Sequence, residues 1–345
     1  MNVTYWVTNQ CNLKCKYCYV EKDVKFMTLK IAEDAYNFVS NFIKKSIENN
    51  EKINISFHGG EPLLNFEVIK YLVEKHKSEK YNNINFMMTT NGTLFSKEIF
   101  DYVTENIQIS LSLDGKKEIN DLNRIFKDGT GSFDKLKETL QYLKNTNKFF
   151  RTRMTITKKT LKELADNYLY ICNLDLNTIP TFAVNISDDW DREDIDIYYE
   201  QLDKLMQSLI KRNEEECKYL LYNIKEATFR KRGYCDGGET TLHINSNGDL
   251  YPCIMSVNNS EFYIGNIYEG IDKNILKKLQ DINKIENNKC CECTFKSNCA
   301  NNCCKIINKV CTGDFYVPSA FSCNEINVIY KIYKKYKYLL ENFNV

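Results

Sequence analysis

Three thiols, Cys11, Cys15 and Cys18, stand close together in the stretch Asn-Gln-Cys-Asn-Leu-Lys-Cys-Lys-Tyr-Cys-Tyr-Val, residues 9–20. A structural zinc or an ordinary iron–sulfur cluster takes four protein ligands. Three thiols in one tight loop therefore predict a metal centre with one coordination position left for another group. The chain has 15 cysteines. Besides these three, Cys172 and Cys217 lie mid-chain and the rest follow Tyr234. The N-terminus, Met-Asn-Val-Thr-Tyr-Trp-Val-Thr, lacks a basic region followed by an apolar core and a small-residue cleavage site, so a cytoplasmic location is expected. That compartment keeps thiols reduced, which makes metal binding a better account of the cysteines than a disulfide framework.

The elements that must position these thiols can be read from periodicity. From Val3 to about Ser187, apolar β-rich runs alternate with amphipathic helical stretches, the pattern of parallel βα units. Six strands are expected at residues 3–8, 53–58, 84–89, 107–113, 150–156 and 179–186, with a Thr160-x-x-Glu163 capping box ahead of one helix. Six repeats predict an α/β fold with a partial (β/α)6 TIM-like barrel, whose strand-end loops share one face. Polar residues fall on those loops: His58-Gly59-Gly60-Glu61-Pro62, Thr90-Asn91-Gly92 and Ser112-Leu113-Asp114-Gly115. Paired glycines let backbone approach a ligand, Glu61 could accept from an ammonium group and Asp114 from ribose hydroxyls.

A helix is expected at about residues 195–213. At Tyr234 the pattern changes to short Gly-, Asn- and Cys-rich segments that mark a second, Cys-rich domain, giving an expected division into 1–214 and 215–345. Within it lie a hairpin about Ser246-Asn247-Gly248, a helix at about 275–282, the cysteine-dense run Cys290 to Cys311, and a closing helix at about 324–341. On that last helix Ile329, Tyr333, Tyr336 and Leu340 form the expected core stripe, and Lys331, Lys334, Lys335 and Lys337 a solvated face. Lys and Arg number 47 against 46 Asp and Glu, and no apolar run approaches a membrane span, so neither nucleic acid nor membrane is an expected partner.

Cys11-x3-Cys15-x2-Cys18 followed at the next strand end by Gly-Gly-Glu-Pro resembles the radical S-adenosylmethionine (radical SAM) superfamily. The resemblance implies that the three cysteines hold a 4Fe–4S cluster whose fourth iron binds SAM. It also implies that cleavage of SAM yields a radical that abstracts a substrate hydrogen. Gly59, Gly60, Glu61 and Pro62 would then meet the methionyl amino group, and Ser112 and Asp114 other polar parts of SAM. Arg124 and Arg153 are candidates for its carboxylate, with a structural ion pair the alternative for each.

The tail resembles the SPASM subfamily, which carries auxiliary clusters. Cys235, Gly248-x4-Cys253, Cys290-x2-Cys293-x5-Cys299-x3-Cys303 and Cys323 match its pattern. Carried over by motif position, Cys290, Cys293, Cys299 and Cys323 would hold the second auxiliary 4Fe–4S cluster. Cys235, Cys253 and Cys303 would hold the first, with Cys217, Cys291, Cys304, Cys311 or an open iron as the fourth position. Three clusters and SAM are the cofactors so implied. A zinc ribbon on Cys290, Cys293, Cys299 and Cys303, in a zinc-binding interaction protein, is the non-enzymatic alternative.

SPASM enzymes commonly modify ribosomal peptides (RiPPs), so the expected activity is that of a peptide maturase forming a thioether or carbon–carbon crosslink. The expected partners are a peptide or protein substrate and an electron donor such as flavodoxin or ferredoxin. Because the sequence opens on barrel strand one, any leader recognition is expected to use the barrel and auxiliary surface or a separate leader-peptide-binding protein. A sulfatase-maturing branch carries an Asp after the Gly-x4-Cys cysteine. Here that residue is Ile254, which cannot manage a proton, and formylglycine formation is the less favoured alternative. Peptide epimerisation, which needs a thiol hydrogen donor such as Cys172 or Cys217, is another. No catalytic base is assignable from sequence.

Overall fold

The computed structural model describes residues 1–79, 83–285, 287 and 290–340. Strands β1 (Asn2–Thr8), β2 (Ile53–Gly59), β3 (Ile84–Thr90), β4 (Gln108–Ser112), β5 (Phe150–Ile156) and β6 (Thr178–Val184) lie side by side in chain order. The pairings from β1 through β5 are all parallel. Parallel neighbours need a crossover, and the helices Leu29–Phe42, Phe66–Ser78, Lys97–Asn106, Phe133–Thr146 and Leu164–Cys172 occur in the connections and after β5. This is the α/β partial barrel expected from the alternating pattern.

The sheet continues past β1 on its other edge. β7 (Thr241–Ile244) pairs parallel with β1, and β8 (Asp249–Tyr251), β9 (Gly265–Asn266) and β10 (Gly270–Ile271) extend it antiparallel. The hairpin about Ser246-Asn247-Gly248 therefore forms as expected and sits on the barrel sheet, with Gly248 at φ +93. Its strands are short, so their partner could not be read from the sequence.

By compactness the chain falls into two units. One contains Met1–Met154, Cys172–Thr181 and Asp236–Lys278; the other contains Thr155–Ile171, Phe182–Cys235 and the chain from Leu279 onward. The functional division at residues 214 and 215 remains a proposal.

The strands are two-faced. Ile53, Ile55 and Phe57 of β2, Phe86 and Met88 of β3, and Phe150, Thr152 and Met154 of β5 are buried. The alternate residues Ser56, His58, Met87, Thr89, Arg151 and Arg153 are half-buried or exposed. The apolar face packs under helices: the Tyr5 hydroxyl lies 3.0 Å from His76 Nε2, and the Phe86 ring stands tilted 6.3 Å from the same imidazole. Each such buried ring contributes on the order of 1.5–3 kcal/mol. The opposite face is polar, unlike a parallel sheet covered on both sides.

Two local expectations differ. The Thr160-x-x-Glu163 box does not form: the Thr160 hydroxyl accepts from the Thr157 N–H at 3.0 Å and does not cap the following turn. A box forms instead at Asp191, whose side chain accepts from the Asp194 N–H while Asp194 accepts in return, and it starts the helix Arg192–Arg212 earlier than expected. Ser319 likewise caps the helix Ala320–Tyr336, so Cys323 lies in its first turns. Phe321, Ile326, Ile332 and Tyr336 are buried on this helix, whereas Ile329, Tyr333 and Leu340 of the expected stripe are half-buried. The four lysines are off the core as expected, with Lys335 Nζ 2.6 Å from Asp203. The expected end near Glu341 lies outside the described residues. Among the described residues no helix is long and apolar enough to cross a membrane.

The tightest joint in the sheet is at Gly59 and Gly60. A Cβ on Gly60 would stand 2.3 Å from the Gln10 carbonyl oxygen, and one on Gly59 2.0 Å from that of Thr8. Gly60→Ala should lower stability by about 2 kcal/mol or more, read as a shift of the urea midpoint. Gly129→Ala, where nothing lies within 4 Å of the added carbon although φ is +89, should cost only about 1 kcal/mol. Equal shifts would place the constraint elsewhere.

Candidate cluster and cofactor site

β1 delivers the chain into the three-thiol loop, where Cys11 is buried, Cys15 half-buried and Cys18 exposed. Backbone bonds pin the loop to the segment after β4: Lys14 N–H donates to Ile125 O at 2.7 Å and Lys16 N–H to Asn123 O at 3.0 Å. Cys11 Sγ accepts from the Leu13 N–H at 3.4 Å and from Asn91 Nδ2 at 3.8 Å. Burial pushes the Cys11 thiol up to about 12, with the nearby Glu61 carboxylate adding to it. Burial also raises Cys15, which the Arg124 cation counteracts. A bound metal reverses this preference and takes thiolates. Three soft thiols, N–H groups aimed at one sulfur and a cation beside a second make a donor set that fits an iron–sulfur cluster.

The glycine pair, expected to let backbone approach a ligand, is used to bring two loops together. Gly60 N–H donates to Thr8 O at 3.0 Å and Glu61 N–H to Gln10 O at 2.9 Å, joining the β2 exit to the root of the thiol loop. Glu61, expected to face an ammonium group, is 1% exposed. Its Oε1 accepts from the Leu63 N–H at 3.1 Å and the Thr90 hydroxyl at 2.7 Å, and Oε2 from the Asn91 N–H at 2.7 Å. Pro62 opens the turn Pro62–Asn65, and Asn65 Nδ2 donates to Val7 O and Met27 O. Burial pushes the Glu61 carboxyl up to about 7, against three hydrogen bonds that favour its ionised form.

Asp114 and Arg124 pair with each other. Arg124 Nη2 lies 2.9 Å from Asp114 Oδ1, the Tyr17 hydroxyl donates to Asp114 Oδ2 at 2.8 Å, and the guanidinium stands 5.3 Å over the Tyr17 ring. Burial works against the Arg124 cation, but the negative charge of Asp114, with Tyr17 and Cys15, outweighs it and raises the pKa. Arg124 Nε is buried without a partner. Ser112 is buried at the end of β4, in register with Arg153 on β5. Arg153 is exposed on the polar sheet face, and its charge reaches Tyr19 and His58.

Sequence reasoning missed a group of polar rings. Trp6 and His58, paired in register, have centroids 4.8 Å apart. Trp6 Nε1, His58 Nδ1 and His243 Nδ1 are buried without hydrogen-bond partners. Burial lowers His58 to about 4 and His243 to about 3, so both are neutral near pH 7. Asn12 and Tyr17, inside the cysteine motif itself, were the available signals for the surrounding network: Asn91 Nδ2 donates to Asn12 Oδ1 at 2.9 Å, and Asn12 Nδ2 to Thr93 Oγ1 at 2.8 Å.

Cys290, Cys293, Cys299 and Cys323 all belong to the second unit. Burial raises Cys323, and Cys299, Cys290 and Cys293 raise it further; burial raises Cys290, followed by Cys299 and Cys293. Of the expected first-cluster ligands, Cys253 belongs to the first unit, and Cys235 and Cys303 to the second. Cys217 is fully buried, donates to Met206 O at 3.8 Å and is pushed up to about 11 by burial and Glu214. Cys291 donates to Asn287 O at 3.7 Å, and Cys172 ends its helix half-buried. Among the described residues, no three His, Cys, Asp or Glu side chains converge closely enough to hold a single metal ion.

The family model for the radical SAM superfamily matches residues 5–171. An uncharacterized protein of Methanocaldococcus jannaschii, MJ0907, is 31% identical over 255 residues, 72% of this chain and 82% of that protein. The chain belongs to the radical SAM superfamily. It is thus a radical SAM enzyme, for which a 4Fe–4S cluster and SAM are implied. It is also similar to the radical SAM cyclopropyl synthase TigE of Paramaledivibacter caminithermalis, at 28% identity over 88% of this chain and 67% of that one. The cysteine-type anaerobic sulfatase-maturating enzyme of Clostridium novyi is 24% identical over 86% of this chain and 85% of that one. A solved structure of anSMEcpe with bound AdoMet shares the fold, with TM-score 0.77 and 21% identity over 99% of this chain and 98% of that one.

The Glu61 carboxyl yields a pH test. Its folded value of about 7 exceeds the ordinary 4.5, so between the two the folded chain holds more protons and stability falls as pH rises. Urea midpoints of wild type should decline across that window, and Glu61→Gln should remove this part of the slope. An unchanged slope in the variant would assign it to other groups.

Proposed function

We infer that this enzyme is a peptide maturase, removing hydrogen from a carbon of a ribosomal peptide and joining that carbon to a sulfur or to another carbon. The observation that carries this reading is likeness, over 86% of this chain, to an enzyme named for maturing a protein, combined with both cysteine sets. Cys11, Cys15 and Cys18 would hold the SAM-binding cluster. Cys235, Cys253, Cys290, Cys293, Cys299, Cys303 and Cys323 would serve two auxiliary clusters. When bound, cluster and SAM supply a carbon radical strong enough to abstract hydrogen. Arg153, with Ser112 beside it, offers a fork for the SAM carboxylate, while Arg124 is held by Asp114 and has a buried Nε without a partner. Trp6, His58 and His243 give the polar sheet face neutral hydrogen-bonding groups for substrate. A flavodoxin or ferredoxin in the cytoplasm would deliver the electron.

Thioether formation is the first reading. Carbon–carbon closure is the second, favoured by the likeness to a cyclopropyl synthase. Ile254 after Cys253 argues against formylglycine formation.

Anaerobic co-expression with a candidate cysteine-containing peptide should yield a product lighter by two hydrogens. Resistance to thiol alkylation marks a thioether, and retained alkylation a carbon–carbon bond. A hydrazide-reactive aldehyde would replace the proposal by formylglycine formation, and deuterium uptake without mass loss in water would replace it by epimerisation. Separately, Arg153→Ala should weaken SAM binding about tenfold, or roughly 1.4 kcal/mol, by calorimetry on the reconstituted protein. Unchanged affinity would remove Arg153 from the SAM site.

A further inference from the structure

Register orders the polar sheet face into rows. Tyr5 and Phe57 stack at 6.2 Å on the helix side, where the Tyr5 hydroxyl meets His76. Trp6 and His58, one residue further along each strand, point the other way. On that face Thr4 pairs with Ser56 and with His243, Ser56 with Met87, and Met87 with Gln108. Two residues further along each strand the next row holds Trp6 beside His58, and Thr89 beside Ser110 beside Arg151. Arg153 pairs with Ser112 and faces the same way as Arg151. All of these residues belong to the first compact unit.

Two independent features of this face point to a ligand. At one end Trp6 is 1% and His243 5% exposed, and Trp6 Nε1, His243 Nδ1 and His58 Nδ1 are buried without hydrogen-bond partners. A buried polar group left unpaired costs about 1–3 kcal/mol, which a hydrogen-bonding ligand would return. At the other end Arg151 and Arg153 are exposed, and among the described residues neither forms an ion pair. The strand-end carboxylates Glu61 and Asp114 are taken by the Asn91 N–H and by Arg124, so neither neutralises them. From Trp6 on β1 to Arg151 on β5 the sheet advances four strands, about 19 Å along its surface. Extended chain rises about 3.3 Å per residue, so a short peptide spans this row and a small metabolite does not.

We propose that this face is a substrate subsite that reads a carboxylate on the peptide, with Arg151 binding the carboxylate and Trp6, His58 and His243 bonding the peptide's amide groups. The proposal rests on the reading of this enzyme as a peptide maturase and adds the charge that its substrate carries. Arg153 stands beside Ser112 at the end of β4, where the SAM carboxylate is proposed to lie. Arg151 lies two residues, about 7 Å, further from that end and is free for substrate. Its guanidinium can hold a carboxylate through two parallel hydrogen bonds. An acidic side chain and the C-terminus of a peptide both present that group. Arg151 touches substrate away from the reacting carbon and so sets specificity.

The test uses full-length protein reconstituted anaerobically with SAM, and synthetic hexapeptides containing one cysteine. One set carries a single glutamate, placed in turn at each position, and ends in an amide. A second has a free C-terminal carboxylate and no acidic side chain, and a third is the glutamine and amide counterpart without charge. By calorimetry, at least one carboxylate peptide should bind tenfold or more tighter than its uncharged counterpart. Which set does so identifies the source of the carboxylate. Arg151→Gln should reduce the preference below twofold with SAM affinity and iron per chain unchanged, and Arg151→Lys should keep part of it. Equal affinity across the sets, no binding of any peptide at millimolar concentration, or a preference that survives Arg151→Gln overturns the proposal. Loss of SAM affinity in Arg151→Gln places Arg151 in the cofactor site and overturns it as well. Binding with the expected preference but no change of peptide mass on turnover supports the carboxylate site while refuting the maturase reading.

Discussion

The approach of two backbones at Gly59 and Gly60 fixes where the thiol loop can be. With no Cβ at either position, the β2 exit lies against Thr8 and Gln10 closely enough for two backbone hydrogen bonds. Glu61 then carries the joint one strand further, binding the Thr90 hydroxyl and the Asn91 N–H. Asn91 reaches back to Cys11 Sγ and Asn12. The ends of β1, β2 and β3 are thus tied into one closed circuit around the first cysteine. A loop presenting three thiols to one cluster has to be this rigid, because a displaced ligand is a lost ligand.

Charge is distributed on the same plan. Arg124, whose charge acts on Cys15, is neutralised by Asp114 and braced by Tyr17, so it stays buried at modest cost. The polar sheet face combines neutral groups, His58 and His243 held uncharged by burial, with the exposed cations Arg151 and Arg153. A surface of this kind can hold a zwitterionic cofactor and a peptide together without strong binding of polyanions, in keeping with a net charge of +1.

The cysteine-rich tail also contains a buried cation. Cys290, Cys293, Cys299 and Cys323 lie up to 33 residues apart, and Ser319 starts the last helix so that Cys323 lies in its first turns. Lys305 falls between them in sequence, at the start of the helix Lys305–Thr312. Arg124 and Lys305 are both buried cations, one paired with a carboxylate and one over an aromatic ring.

The sequence by itself determined the thiol spacings, the six-strand order and the glycine pair, because each is a local signal: ligand spacing, a period of two alternating with a helical period, and a residue type with a unique steric property. Hence β5 was placed to the residue and the radical SAM resemblance was legible from Cys11 to Glu61. Only the tertiary structure decided what the polar residues do. Glu61 and Asp114, expected as ligand contacts, bind Asn91 and Arg124 within the fold, because a buried carboxylate takes whichever donors folding brings nearest. The short strand β7 found β1, and Lys305, an unremarked lysine in a cysteine run, became a buried cation. Spacing along the chain fixes which residues can share a loop. Which residues meet across the fold depends on packing between segments dozens of residues apart, and a single sequence does not record it.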